Sequence, residues 1–178
     1  MLSEPLPATL DVRKAAARGV SVKGVIQPSD LSRFRELLAD DKGSIAVDMA
    51  FNKDDQEHYV IGLDIRADVT VTCQRCLQSM PLHVHAVNSL GVVWTDSQAA
   101  TLPGHLEPLI VEEPPCNLWE VVEEELMLAL PTFSYHDTEE CRRGTLAFTD
   151  EAPDEPAPVD KPNPFDVLVQ LKPGEKKI

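Results

Sequence analysis

Apolar and polar residues alternate along much of the first hundred positions, with the period of two that is typical of half-buried β-strands. The alternation is clearest in residues 44–52, and it recurs in 58–65, 69–73 and 82–94, with a bend near Gly91. Short polar segments separate these runs. The pattern therefore predicts an antiparallel β-meander with one buried face, curled towards a partial barrel.

Two other segments have the period of an amphipathic helix. Ser29 or Asp30 can cap a helix whose apolar face begins at Leu31, and Gly43 follows closely enough to end it. A second helix is predicted from Asn117, a capping residue, to the stop at Pro131. The predicted fold class is α+β, with two or three helices flanking the meander.

Three shorter segments complete the predicted elements. Residues 6–12 and 107–111 are expected to form edge strands, because prolines within and beside them are tolerated only at a sheet edge. Residues 13–18 form the most basic patch and have helical composition, but the segment is too short to persist alone. We expect either a solvated short helix or a contact with an acidic partner.

The 178 residues are enough for one domain with a substantial core. We assign residues 1–142 to a single α+β domain and 143–160 to a flexible, disordered linker that is acidic and rich in proline. Residues 161–178 regain apolar character and can form a short helix. This segment is predicted to dock on its own domain or to bind a partner. Its candidate binding residues are Pro162, Asn163, Pro164, Phe165 and Leu168.

The charge distribution bears on the kind of partner. The net charge is −14, and residues 104–160 carry fifteen acidic side chains against two basic ones. Strong direct binding of RNA or DNA is disfavoured, because affinity for phosphates comes largely from Lys and Arg; only the mildly basic ends suit rRNA contact. A basic protein is the expected partner. The N-terminal residues lack the pattern of a secretory signal, and no apolar run is long enough to span a membrane, so a cytoplasmic location is expected.

The cysteines are the main candidates for chemistry. Cys73 and Cys76 form a Cys-x-x-Cys pair after a strand-like run, and His136 with Cys141 could complete a Cys3His set for a structural zinc ion. Cys116 is a substitute ligand, although its sequence neighbours suit a helix entry. The alternative is that Cys73 faces the core and Cys76 is an ordinary turn thiol. A redox couple is the least favoured interpretation, because its pair normally opens a helix.

Catalytic motifs are lacking elsewhere in the sequence. We find no glycine-rich phosphate loop and no nucleophile elbow, so an enzyme is not expected. Glutamates 120, 123, 124 and 125 cluster on the second predicted helix. We interpret them as its solvated face rather than as metal ligands, because no histidine follows at helical spacing.

Several motifs occur together in a characteristic order. These are Leu10-Asp11, Cys73-Gln74-Arg75-Cys76, residues 107–111, residues 124–131, His136 with Cys141, and Lys161-Pro162-Asn163-Pro164-Phe165 with Leu168.

In this combination the chain resembles the YceD family, the bacterial large-subunit ribosomal RNA accumulation family. The resemblance implies a role in ribosome biogenesis, supporting the synthesis, processing or stability of 23S rRNA. It also implies that Cys73 and Cys76 recur together with the segment of His136 and Cys141. We therefore expect a non-enzymatic factor that binds a basic ribosomal or rRNA-processing protein. The alternative is a metal- or redox-responsive regulator that uses Cys73 and Cys76.

Overall fold

The computed structural model describes residues 4–146, with the backbone alone for 144–146. The strands are β1 (Thr9–Leu10), β2 (Ser21–Ile26), β3 (Gly43–Lys53), β4 (Tyr59–Thr72), β5 (Ser79–Val93), β6 (Glu107–Ile110) and β7 (Cys116–Asn117). The helices are α1 (Val12–Arg18), α2 (Ser32–Arg35), α3 (Asp96–Ala99), α4 (Leu118–Ala129) and α5 (Glu139–Leu146). None of these helices is long and apolar enough to cross a membrane.

A five-stranded sheet in the order β2-β3-β4-β5-β6 dominates the molecule, which confirms the predicted α+β class. Strands β2 to β5 are antiparallel neighbours, as the alternation predicts. Within residues 4–146 the sheet stays open, with β2 and β6 at its edges. Its inward-facing residues, such as Ile45, Met49, Phe51 and Ile65, are fully buried and form the centre of the core.

The central strands are longer than the alternation indicates. The runs 58–65 and 69–73 belong to the single strand β4, because the small buried Ala67 keeps the inward position between Ile65 and Val69. Likewise β5 continues through Gly91 without interruption. A long hairpin results, in which Tyr59 pairs with Val92 at one end.

One strand direction differs from the meander. β6 is an edge strand, as predicted, but it runs parallel to β5. Parallel neighbours need a crossover connection, and residues 94–106 with the short helix α3 provide it.

The N-terminal segment packs on the sheet. The predicted strand 6–12 is reduced to β1, which pairs with β7. The basic segment does form a helix, α1, because the Asp11 carboxylate accepts a hydrogen bond from the Lys14 N–H and Gly19 ends the helix at a φ of 62°. Val12, Ala15 and Ala16 bury one face of α1, which supplies the stability that so short a helix lacks alone.

The helix predicted to extend from Ser29 towards Gly43 is shorter than expected. It comprises a 3₁₀ turn at Pro28–Asp30 followed by α2, and it ends at Arg35. The backbone then turns towards the sheet, where the Ala39 N–H donates to the Thr70 carbonyl at 2.8 Å. With the single-turn helices α2 and α3, residues 4–146 contain five helices, which is consistent with the predicted α+β architecture.

Helix α4 agrees with its prediction in both bounds. The Asn117 side chain caps it by accepting from the Trp119 and Glu120 N–H groups. Leu118, Val122 and Leu126 are fully buried against the sheet. Glu123 corrects the prediction of a solvated glutamate face, since it lies on the buried side with 5 % of its surface exposed.

The predicted linker starts within a described element, because α5 extends to Leu146. The rest of the linker and the whole segment 161–178, including its candidate binding residues, lie outside the described residues.

Candidate metal centre

The turn between β4 and β5, residues 73–78, is held in a closed conformation that we call the cysteine turn. The Cys73 N–H donates to the Gln78 carbonyl at 2.8 Å, and the Leu77 N–H donates back to the Cys73 carbonyl at 2.9 Å. Leu77 has a φ of 59°, in the left-handed region that branched side chains seldom adopt. The strained turn places Cys73 and Cys76 beside each other at the end of the long hairpin.

The second pair of candidate ligands reaches the cysteine turn after α4 ends. The Gln74 N–H donates to the Ser134 carbonyl at 3.0 Å, which fixes the returning chain against the turn. His136 follows two residues later, and Cys141 lies in the first turn of α5. The Cys141 N–H donates to the Thr138 hydroxyl at 3.3 Å, which orients this turn.

The four side chains that we singled out converge on one point. Ligand atoms of Cys73, Cys76, His136 and Cys141 all lie within 4.8 Å of one another. The Sγ atoms of Cys73 and Cys141 are 3.7 Å apart, and the Cys76 Sγ lies 3.3 Å from the His136 Nδ1.

These separations agree with tetrahedral coordination. Zinc–sulfur bonds are about 2.3 Å long and zinc–nitrogen bonds about 2.0 Å. In a tetrahedral site these lengths place two sulfur ligands roughly 3.8 Å apart, and a sulfur and a nitrogen ligand roughly 3.5 Å apart. Cys73 and Cys141 are buried, whereas Cys76 and His136 are half-buried. The cluster can therefore hold a metal ion, with one side in the protein interior.

The thiols differ in their tendency to ionise. Burial opposes ionisation of Cys73, but hydrogen bonds from the backbone N–H groups of Cys76, His136 and Arg75 outweigh it and lower the pKa of Cys73 to about 5. Burial raises the pKa of Cys141, and the neighbouring Cys73 and Cys76 raise it further. One thiolate is thus stabilised by the backbone, while a second ionised sulfur beside it needs a cation.

Cys116 is not part of this cluster. It lies in β7, where it pairs with Leu10, and burial raises the pKa of its thiol. Nor does the Cys-x-x-Cys pair open a helix, since it lies in a turn between two strands. This setting differs from the one that a dithiol redox couple is expected to occupy.

Sequence reasoning missed the residues that surround the cluster. Arg75 extends over the Tyr135 ring at 4.8 Å, and its Nη1 lies 4.0 Å from the Cys141 Sγ. Phe133 and Tyr135 stack with their ring centroids 6.3 Å apart. Arg75 could have been singled out from the sequence, because it lies between Cys73 and Cys76 and its positive charge can compensate for the negative charge of a thiolate.

Comparison with known proteins identifies the family. The family model described as large ribosomal RNA subunit accumulation protein YceD matches residues 61–172. The chain belongs to the YceD family. A YceD relative from Haemophilus influenzae, the large ribosomal RNA subunit accumulation protein YceD, is 32% identical over 169 residues, covering 94% of this chain and 96% of the relative. No solved structure matches the chain.

The YceD match includes both halves of the cysteine cluster and continues to Lys172. It therefore extends beyond the described residues and through Phe165 and Leu168. Residues 161–172 therefore belong to the part of the chain that resembles the family.

Proposed function

We propose that this protein is a non-enzymatic factor in the accumulation of the large ribosomal RNA, and that it acts by binding a basic ribosomal or rRNA-processing protein. Membership of the YceD family supports the first half of the proposal. An acidic groove on the surface is the observation that carries the second half.

The acidic groove lies between β6, the loop that follows it and α4, and it has a volume of about 370 Å³. Its carboxylates are those of Glu112, Glu113, Glu120 and Glu124, and its apolar residues are Leu109, Ile110, Val111, Pro115, Cys116 and Val121. Among residues 4–143, Glu124 is the one of these four with an ion pair, to Arg33 at 3.5 Å. A partner that offers Lys and Arg side chains around an apolar residue would complement this surface.

The cysteine cluster has a structural part in this proposal. Cys73, Cys76, His136 and Cys141 would hold a zinc ion with four protein ligands, which leaves no position open for water or substrate. A bound zinc ion supplies a cross-link. The residues themselves would fasten the segment after α4 to the end of the hairpin, so that the partner meets a fixed surface.

A metal- or redox-responsive regulator is the second candidate. The 3.7 Å between the Cys73 and Cys141 sulfurs favours it, because these thiols need little movement to form a disulfide when no metal is bound. A two-electron oxidant such as a peroxide would take the two thiol hydrogens as protons and electrons, be reduced to water, and leave Cys73 and Cys141 joined in a disulfide that can no longer bind a metal. A stoichiometric zinc ion that survives dialysis would support the structural role, and a titratable disulfide would support the regulator.

Affinity capture tests the lead proposal. The full-length protein is used as bait in a lysate, and the captured proteins are identified by mass spectrometry; we expect a ribosomal or rRNA-processing protein among them, which is then purified. We expect capture to survive RNase. We also expect the double variant Glu112→Lys, Glu113→Lys to weaken binding of the purified partner at least about tenfold.

The matched control is Glu36→Lys with Asp55→Lys, which changes the same charge at exposed positions away from the acidic groove. It should bind nearly as the unmodified protein does. Recovery of the partner only while RNA is intact would contradict the proposal, as would equal losses in both double variants.

A further inference from the structure

We propose that a second groove, beside the cysteine cluster, is the docking site of the chain's own segment 162–171. This inference goes beyond the proposed partner, because it concerns a different surface and an intramolecular occupant. We call this groove the uncharged groove.

The uncharged groove lies between the end of α4, the chain that follows it and the end of β4, and its volume is about 550 Å³. All ten residues that line it are uncharged. Its apolar residues are Leu37, Val71, Met127, Leu128, Leu130 and Pro131. This composition is unusual on the surface of a protein with a net charge of −14.

Large apolar side chains are left exposed around this groove. Leu128 has 77% of its surface exposed and Leu37 has 49%. Phe133 and Tyr135 are also exposed, and they flank Ser134, which lines the groove. Leu37 and Leu128 line the groove, and they are two of the seven large exposed hydrophobic residues in the described part of the chain. Large apolar side chains left exposed along an uncharged groove mark a site that another segment covers.

The chain itself contains a segment with matching properties. Residues 162–171 contain one charged residue, Asp166, and five apolar ones in the stretch from Phe165 to Leu171. By contrast, residues 149–160 are acidic and rich in proline, so they do not suit an uncharged groove. The family match continues to Lys172 and therefore includes the whole of this segment.

The position of α5 brings the segment within reach. Gln74 lines the groove and lies between the two cysteines of the cysteine turn, and α5 places Cys141 in the same cluster. Leu146, the end of α5, is five residues further, about 8 Å along the helix axis. The chain therefore leaves the described domain close to the groove.

The length of chain that follows is sufficient. Residues 147–165 can span roughly 65 Å when extended and about 25 Å as a flexible coil. A domain of this size is roughly 35–40 Å across. A tether of this length gives an effective concentration on the order of millimolar, far above the concentration of a second copy in solution. The segment of the same chain is therefore the favoured occupant.

Nuclear magnetic resonance on the full-length protein tests the docking directly. We expect nuclear Overhauser cross-peaks between the Phe165 ring protons and the methyl protons of Leu37 or Leu128. Such cross-peaks appear only when the two sets of protons lie close together in space. The variant Leu168→Asp should abolish these cross-peaks and shift the Leu128 methyl resonances. The matched control is Ile110→Asp, which changes an exposed apolar residue of β6 outside the uncharged groove. It should leave the Phe165 cross-peaks and the Leu128 methyl resonances unchanged.

Three results would overturn the inference. One is a Phe165 ring with no such cross-peaks and random-coil shifts throughout 162–171. Another is cross-peaks that arise only between labelled and unlabelled chains in a mixed sample, which would assign the groove to a second copy. The third is cross-peaks that form only after a captured partner is added. Leu168 is not among the described residues, so Leu168→Asp removes none of the core contacts of residues 4–146, and chemical shifts of the described core report whether the variant stays folded.

Discussion

Glu123 shows how one buried carboxylate joins two helices. It lies on the inner face of α4, and its Oε1 accepts from the backbone N–H of Arg33 at 2.7 Å and of Phe34 at 3.1 Å. Its Oε2 accepts from the Arg33 Nε at 2.9 Å. Glu123 therefore satisfies the free N–H groups at the start of α2, a role that usually belongs to a residue of the same helix.

The ionisation of Glu123 is coupled to folding. Burial raises the pKa of its carboxyl, but the hydrogen bonds from Phe34 and Arg33 outweigh burial and bring the pKa below its usual value of 4.5. A lowered pKa in the folded state means that the stabilisation is fully present above pH 4.5. It is lost as the pH falls through the lowered value.

We predict that Glu123→Gln lowers the free energy of unfolding at pH 7 by about 2 kcal/mol, because a charged acceptor is removed from buried donors. Chemical denaturation measures the loss. The neighbouring Glu124→Gln is the control, since Glu124 is exposed and should change stability by less than about 0.5 kcal/mol. The difference between Glu123→Gln and the unmodified protein should shrink below pH 4.5, and a difference that persists there would contradict this account.

At the scale of elements, two glycines of the sheet have opposite requirements. Gly43 starts β3 with a φ of 129°, and a Cβ atom there would lie 2.0 Å from the Asp68 carbonyl oxygen. At Gly62, in β4, the nearest atom to an added Cβ would be 3.8 Å away. Of these two glycines, Gly43 is required by a close approach of two backbones, and Gly62 is not.

We predict that Gly43→Ala destabilises the protein by at least about 2 kcal/mol, because the backbone of β3 or β4 must move to relieve the overlap. Gly62→Ala should change stability by less than about 1 kcal/mol. Thermal unfolding of the two variants provides the measurement. Similar midpoints for both would mean that β3 and β4 are not held in this register.

Elements whose pattern depends on local sequence were predictable, and those set by distant partners were not. The alternation in β3 and the cap at Asn117 are local, and both predictions are confirmed. The end of α2 depends on the bond from Ala39 to Thr70, and the parallel direction of β6 depends on where its crossover returns. Neither partner is visible in a short window of sequence. Gly43 is a further example: its position in the sequence suggests a helix end, whereas it starts β3 beside Asp68 of β4.

At the scale of the whole molecule, the candidate site was predictable in its members and not in its surroundings. The spacing of Cys73 and Cys76 indicated one half, His136 and Cys141 were the residues able to complete a Cys3His set, and the family resemblance supported joining the two halves. Arg75 reaches Cys141 and lies over Tyr135, which stacks with Phe133, only through the return of the chain after α4. The burial of Glu123 could likewise not be predicted from the sequence, because it depends on α2 packing against α4.

We predict that the purified protein contains about one zinc ion per chain, and that removing it with a chelator lowers the unfolding midpoint of the whole domain, because metal binding is coupled to folding. Elemental analysis and calorimetry give the two readouts. Cys76→Ser should lose the metal, whereas Cys116→Ser should keep it, since Cys116 lies outside the cluster. Metal retained by Cys76→Ser would show that the ion binds elsewhere.

The long hairpin has a consequence for the order of folding. Its two strands are joined by the six residues of the cysteine turn, whereas Cys73 and Cys141 are 68 residues apart in sequence. Pairing across a short turn costs little chain entropy, so the hairpin can form early, and the cluster must wait until α4 has packed. Contacts that form after the transition state mainly slow unfolding. The cluster would thus determine how long the native state lasts, and the hairpin how quickly it is reached.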